Sequence, residues 1–63
     1  MNRTEMRGNW HVVKGRLKQQ WGDLTDDDLA YEDGREDELY GRIGQKVGQS
    51  KDAVKRFIDN IDL

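Results

Sequence analysis

Met6, Trp10, Val13, Leu17 and Trp21 follow one another at spacings of four, three, four and four. At about 100° per residue that rhythm returns every one of them to a single narrow face of a helix, whereas a strand would divide them between two faces. The opposite face carries Gly15, Arg16 and Gln19. The same rhythm recurs in Leu39, Ile43 and Val47, with Tyr40 at the edge of that stripe, and again in Val54, Phe57, Ile58 and Ile61. With no proline in the chain to interrupt these segments, the fold class is all-α.

The ends of the helices are marked by glycine and hydroxyl residues. Gly22 follows the last residue of the first stripe, and glycine enters the left-handed conformation that ends a helix without steric penalty. The first helix is therefore expected to stop there. It begins near Thr4 or at Asn9, both able to cap, with Gly8 weakening the stretch between; the earlier start is favoured. Thr25 is placed to cap a second helix from about Asp26 to Tyr31 or Glu32, with Asp26, Asp27 and Asp28 at its positive end and Leu24, Leu29 and Ala30 as its apolar contribution. Gly34 ends it. A third helix runs from about Arg35 to Val47 and is stopped by Gly48; Ser50 caps a fourth, from about Lys51 to Asn60.

Laid over itself with a shift of 26 residues, the chain shows an echo, Gly-Arg-apolar-x-Gln-x-apolar-Gly, at Gly15 to Gly22 and again at Gly41 to Gly48. The same shift pairs Gly8 with Gly34. Two copies of a helix-turn-helix unit explain this most simply, and the expected architecture is a small four-helix domain of two packed helical hairpins spanning residues 1–63. Gly15 and Gly41 fall inside expected helices, where each costs about 1 kcal/mol relative to alanine. The favoured explanation is a close crossing of the two hairpins at those glycines; a notch that receives a partner is the alternative.

A chain of 63 residues forms one domain and buries only about 60% of its unfolded surface, so its core has little to spare. It has no cysteine and a single histidine, which removes disulfides, thiolate chemistry and any zinc set. His11 has no second base, nucleophile or carboxylate pattern pointing at it and reads as a surface residue. No enzyme activity, cofactor or metal is expected. The three clustered aspartates lack the alternating ligands, mid-loop glycine and closing glutamate of a calcium loop. Gly41 to Lys51 resembles a phosphate-cradling loop only superficially, because the Lys-Ser/Thr pair after the last glycine is missing. The N-terminal residues show no apolar leader and no window approaches a membrane span, so a cytoplasmic protein without membrane attachment is expected.

Charge is unevenly spread. Residues 1–21 carry five bases against one acid, residues 22–38 nine acids against one base, and residues 39–63 five bases against three acids. An acidic middle between basic arms can neutralise itself across a compact fold, which is favoured over a basic face held open for a partner. The strongest partner motif is the Gly48 hairpin. Backbone amides of Gly48, Gln49 and Ser50 at a helix start, with Lys46, Lys51, Lys55 and Arg56 nearby, could hold a phosphate in the manner of a helix-hairpin-helix module. A pI near 5.2 argues against a dedicated nucleic-acid binder. Trp10 and Trp21 are assigned to the core, since each can bury on the order of 200 Å².

Gly8-Asn9-Trp10, Lys14-Gly15-Arg16-Leu17-Lys18, Trp21-Gly22-Asp23-Leu24-Thr25-Asp26-Asp27-Asp28, the acidic turn from Tyr31 to Gly34 and Gly41-Arg42-Ile43 occur here in that order. Together they resemble the CsbD-like family of small bacterial general-stress proteins, over nearly the whole chain. The resemblance implies a bacterial cytosolic protein made in stress or stationary phase, a compact four-helix fold of two packed hairpins akin to SAM and helix-hairpin-helix bundles, and no established activity or active site. The functional expectation is thus a non-enzymatic stress-response protein, a hydrophilic protectant or weak binder of protein clients. Its hydrated surface is anticipated by 38% charged residues and a mean hydropathy of -1.10. The competing expectation is a nucleic-acid-binding module contacting its ligand through Lys46, Gly48, Ser50, Lys51, Lys55 and Arg56. A monomer is expected over a homo-oligomer paired through its glycine faces.

Overall fold

The first apolar stripe forms two helices rather than one. The structure, a computed structural model, describes residues 3–32 and 34–61, and in it α1 (Arg3–Gly8) and α2 (Trp10–Gln20) are separated at Asn9. The single helix expected from Thr4 to Trp21 is therefore corrected: Asn9 leaves helical geometry at φ -117°, ψ 23°, and its carbonyl accepts the first bonds of α2, from Val12 and Val13 N–H at 3.0 and 3.1 Å. The break falls where the helix is weakest, at a glycine followed by an asparagine suited to a cap. Met6 remains on the core side of it, 2% exposed, and its Sδ accepts a hydrogen bond from the Tyr40 hydroxyl at 3.4 Å.

α2 stops just before Gly22, where the stop was expected, but not through a left-handed glycine. Trp21 ends it, extended at φ -131°, ψ 94°, while its N–H still donates to Leu17 O at 2.9 Å. Among the described residues only Gly34 and Gly48 have positive φ, so the left-handed stop expected at Gly22 is not used. The extended backbone accompanies the Trp21 ring into contact with Phe57, the ring centroids 5.1 Å apart.

The helix expected from Asp26 to Glu32 is a single turn. Its start is capped as anticipated: the Thr25 hydroxyl accepts from Asp28 N–H at 3.3 Å, and Asp28 Oδ2 accepts from Thr25 N–H at 3.0 Å and from the Thr25 hydroxyl at 3.1 Å, a reciprocal box. Leu29 N–H closes the turn on Thr25 O and Asp26 O. Beyond it the chain is tethered to other elements, Leu29 O by the Trp10 indole N–H at 3.0 Å and Ala30 O by the Arg42 guanidinium at 2.9 Å. Leu24 and Leu29 are buried but Ala30 is exposed, against expectation. Asp33, in the expected acidic turn, lies outside the described residues.

The third and fourth elements run close to expectation. α3 (Glu36–Val47) has Glu36, Asp37 and Glu38 in its first turn and Lys46 in its last, charges that suit the helix dipole at both ends. Gly48, at φ 73°, donates its N–H to Gly44 O, and Gln49 N–H donates to the same carbonyl at 2.8 Å, which makes a Schellman turn. Ser50 then caps α4 (Lys51–Asp59) by accepting from Ala53 N–H at 3.0 Å.

The crossing expected at Gly15 and Gly41 is absent. Gly15 is exposed with nothing within 4 Å of where a Cβ would stand, and at Gly41 a Cβ would meet only the Lys51 stem at an ordinary 3.7 Å. The glycine that the packing requires is Gly44, where a Cβ would lie 2.5 Å from Gln49 O. The two halves of the sequence echo therefore occupy different environments.

α3 packs chiefly on α4 and α1 on α2, with Leu29 and Ala30 of the connection tied to α2 and α3. Met6, Val13, Leu17, Leu24, Leu29, Leu39, Tyr40, Ile43, Val54 and Ile58 form one buried cluster, against which Trp10, Trp21, Tyr31, Val47, Phe57 and Ile61 are half-buried. Each stripe read from the sequence contributes to it, with the tryptophans at its margin. The radius of gyration, 10.3 Å, is close to the roughly 10.6 Å expected of a compact 63-residue domain, so the high charge content does not expand the chain.

Candidate functional site

The six residues singled out for phosphate contact lie together on the α3–α4 hairpin, but their polar groups are largely committed inside the molecule. Lys46 Nζ lies 3.7 Å from Asp28, Lys51 Nζ is bonded to Asp37 at 3.0 Å, and Lys55 Nζ lies 3.5 Å from Asp59. The amides of Gly48 and Gln49 both point to Gly44 O, and the Ser50 hydroxyl is engaged with Ala53. Arg56 is the exposed cation of the set that forms no ion pair among the described residues. A phosphate arriving here would compete with those carboxylates for the lysines, while the Ser50 hydroxyl keeps a proton to donate.

The densest polar arrangement is the connection between the two helix pairs. Asp26 reaches back to α2, contacting Lys18 Nζ at 2.5 Å and Lys14 Nζ at 3.8 Å; the Lys18 hydrogen bond, with the charges of both lysines, holds its carboxyl below the ordinary 3.8. Asp28 reaches forward to Lys46 on α3, and its carboxyl is also held below 3.8, chiefly by the Thr25 N–H and then by the Thr25 hydroxyl and Lys46, against a partial loss of hydration. Arg35 lies 3.3 Å from Glu32 and 3.9 Å from Glu38. Glu36 Oε2 accepts from the Tyr31 hydroxyl at 2.7 Å and from Gly34 N–H at 2.8 Å. Three acids of the middle segment, Asp26, Asp28 and Asp37, are thus met by lysines of the basic arms, and Glu32 and Glu38 by Arg35 within the segment itself. These exposed pairs set where the connection lies more than how stable the fold is.

Trp10 stacks at a tilt on Tyr31, centroids 5.2 Å apart, while its indole holds Leu29 O, so the aromatic ring and its polar tip serve one tether. His11 is exposed on α2, without a hydrogen bond or ion pair among the described residues. Two surface depressions are lined by Ala30, Glu32, Arg35, Glu38 and Arg42, and by Asp52, Lys55, Arg56 and Asp59. Neither brings a hydroxyl or imidazole to a base. No group of three or more His, Asp or Glu side chains among the described residues is disposed to hold a metal ion, and no helix among them is long and apolar enough to cross a membrane.

Three contacts that organise the molecule have no counterpart in the sequence pattern: the Trp10 and Arg42 tethers on the Leu29 and Ala30 carbonyls, and the Tyr40–Met6 bond. All join residues at least twelve positions apart through side chains that periodicity assigns to core or surface. Gly44 did leave a signal, a glycine four places before a helix-ending glycine, the spacing at which a Schellman turn brings its two ends together.

The family model described as CsbD-like matches residues 4–56. A UPF0337 protein of Escherichia coli K12, YjbJ, is 47% identical over 60 residues, covering 94% of this chain and 87% of its own. The UPF0337 protein ECA0631 of Pectobacterium atrosepticum is 46% identical over 58 residues, 92% of this chain and 84% of its own. A more distant relative, the UPF0337 protein PA4738 of Pseudomonas aeruginosa, is 39% identical over 58 residues, 92% of this chain and 89% of its own. No solved structure matches the chain.

Proposed function

The chain belongs to the CsbD-like family of small bacterial general-stress proteins, and from that premise we propose that it acts without enzymatic chemistry, as a hydrophilic protectant that also binds protein clients weakly. The observation that carries this reading is the pairing of a closed apolar core with a charged shell that balances itself. No polar or charged residue among those described is buried, and the acids of the connection and of α3 are matched by lysines from α2, α3 and α4. Such a surface holds water densely, has no strong field of one sign and does not associate tightly with itself, which are the properties of a protein that works by abundance. The protein acts in the cytoplasm as a monomer.

The test is protection of a labile enzyme through drying or heating, against an equal mass of an inert protein of similar size. Greater retention of activity with this chain is expected; equal retention overturns the reading. A nucleic-acid module at the Gly48 hairpin is the competing reading, and proton-nitrogen spectra titrated with short duplex DNA and RNA at low salt separate the two. Shifts confined to residues 46–56, weakened in Lys51→Glu and Lys55→Glu, would establish that module; an unmoved spectrum leaves the protectant.

A further inference from the structure

α2 lies in the longest stretch of the chain without a carboxylate, from Met6 to Gly22. Of the three bases on the helix, Lys14 and Lys18 share a single partner, Asp26, at 3.8 and 2.5 Å, while Arg16 forms no ion pair among the described residues. No other carboxylate among those residues reaches α2, so three cations face one anion on a chain whose net charge is -2. α4 is the contrast: Lys51 meets Asp37, Lys55 meets Asp59, and Asp52 and Asp59 stand on the helix itself beside Arg56. The surplus on α2 acts locally, since physiological salt screens it beyond about 8 Å.

The side of α2 turned away from the core holds His11, Val12, Gly15, Arg16 and Gln19, all exposed, opposite the buried Val13 and Leu17. Val12, 38% exposed, is the one large apolar side chain among the described residues that stands in solvent. One turn on, Gly15 has nothing within 4 Å of where a Cβ would stand, so no packing inside the molecule offsets its cost to the helix. The tryptophans that could stack on bases are engaged elsewhere, Trp10 with Tyr31 and Leu29 O and Trp21 with Phe57. A cationic face with an apolar centre and no aromatic platform fits a protein segment better than a nucleic acid.

We propose that this face of α2 is where protein clients dock, and that the segment it takes is acidic and amphipathic, with an apolar side chain on Val12 beside Gly15 and carboxylates against Arg16 and the Lys14–Lys18 pair. Docking there rests on the weak client binding proposed above, to which it adds the surface and the chemistry of the partner. One exposed valine and a few solvated cations hold a partner weakly, and the charged part of that hold fades as salt rises.

The experiment titrates proton-nitrogen spectra of the full chain at low salt with a synthetic amphipathic helix of about five turns, leucine along one face and glutamate on either side of it. The same peptide with lysine in place of glutamate, and a short DNA duplex, are titrated in parallel. The glutamate peptide is expected to shift residues 11–19, the lysine peptide to leave them unmoved, and the shifts to fade as salt is raised. Arg16→Glu is expected to weaken the glutamate peptide about fivefold, and Val12→Ser about threefold. Arg56→Glu, at the exposed cation of α4, leaves binding unchanged. All three positions are exposed, and the dispersion of each variant's own spectrum reports its fold. Absence of shifts, shifts away from α2, an equal response to the lysine peptide, tighter binding of the duplex, or an Arg16→Glu chain that binds as well as the parent each overturns the proposal. Protection of a labile enzyme by the parent chain is read separately. A chain that protects yet gives one of those outcomes loses the docking face and keeps the protectant reading, whereas one that fails to protect loses that reading whatever the peptides do.

Discussion

Thr25 and Ser50 open corresponding turns in the two parts of the chain, and each hydroxyl accepts the amide three residues on, from Asp28 at 3.3 Å and from Ala53 at 3.0 Å. After Ser50 the chain makes nine residues of helix; after Thr25 it makes one turn and leaves. The caps are alike, so the difference lies in the residues beyond them. Val54, Phe57 and Ile58 give α4 a continuous face to bury, whereas Leu29 is the one buried side chain between Asp26 and Glu32. The segment after Thr25 also carries acids at both ends, and those at the far end oppose the helix dipole. A cap determines where a helix can begin; an apolar stripe determines whether it continues.

The strongest way to break this comparison is at Leu29, which is fully buried. If the Thr25 turn is held by that side chain and its tethers, Leu29→Ala is expected to cost about 3 kcal/mol in urea unfolding, as for other buried leucines; a loss well under 1 kcal/mol would show the turn to be a passive link. Gly44→Ala comes next, with a loss of about 2 kcal/mol, because its Cβ must push back the Gln49 carbonyl that closes the α3–α4 turn. A neutral result would mean that the Schellman turn relaxes freely. Ser50→Ala should cost about 1 kcal/mol, and Thr25→Ala less than that, since only the former caps a full helix. Gly15→Ala sharpens the contrast in the opposite direction, adding roughly 0.5–1 kcal/mol at an exposed helical site with open space, while the same change at Gly44 destabilises.

The smallest effect is that of pH. The carboxyls of Asp26 and Asp28 are depressed in the folded protein, so what they contribute is present above 3.8 and is lost as pH falls below it through their folded values. Asp26→Asn with Asp28→Asn should flatten the acid limb of a thermal-melting profile by lowering the neutral plateau slightly toward the values at low pH. Asp26 is exposed and Asp28 half-buried, and an unchanged acid limb would show that their ion pairs are fully screened.

The helical class, the Ser50 and Gly48 boundaries and nearly the whole core are legible in the sequence because they depend on local period and local backbone chemistry. The break at Asn9 is half legible, since Asn9 is one of two residues able to start a helix there while the favoured start lies upstream. The extension past Asp28 and the left-handed turn assigned to Gly22 differ from the structure, although α2 does stop just before Gly22; Trp10 and Arg42 hold the Leu29 and Ala30 carbonyls, and Phe57 receives Trp21 as it leaves the helix. The hairpin cations lie along α3 and α4, and two of their carboxylate partners, Asp28 and Asp37, lie far from them in the chain, out of reach of any motif.

By itself the sequence determined which residues would be buried, that helices would bury them, and where two of those helices would be capped, since periodicity, hydroxyl caps and a left-handed glycine act within a few residues. Tertiary structure alone decided that the acidic connection would be a tethered turn instead of a helix, that Gly44 and not Gly15 or Gly41 would be the glycine the packing needs, and that the lysines of the hairpin would face carboxylates. Each of those outcomes depends on which groups meet across the core. A carbonyl, a Cβ or an ammonium is available or engaged only according to what the rest of the chain brings beside it.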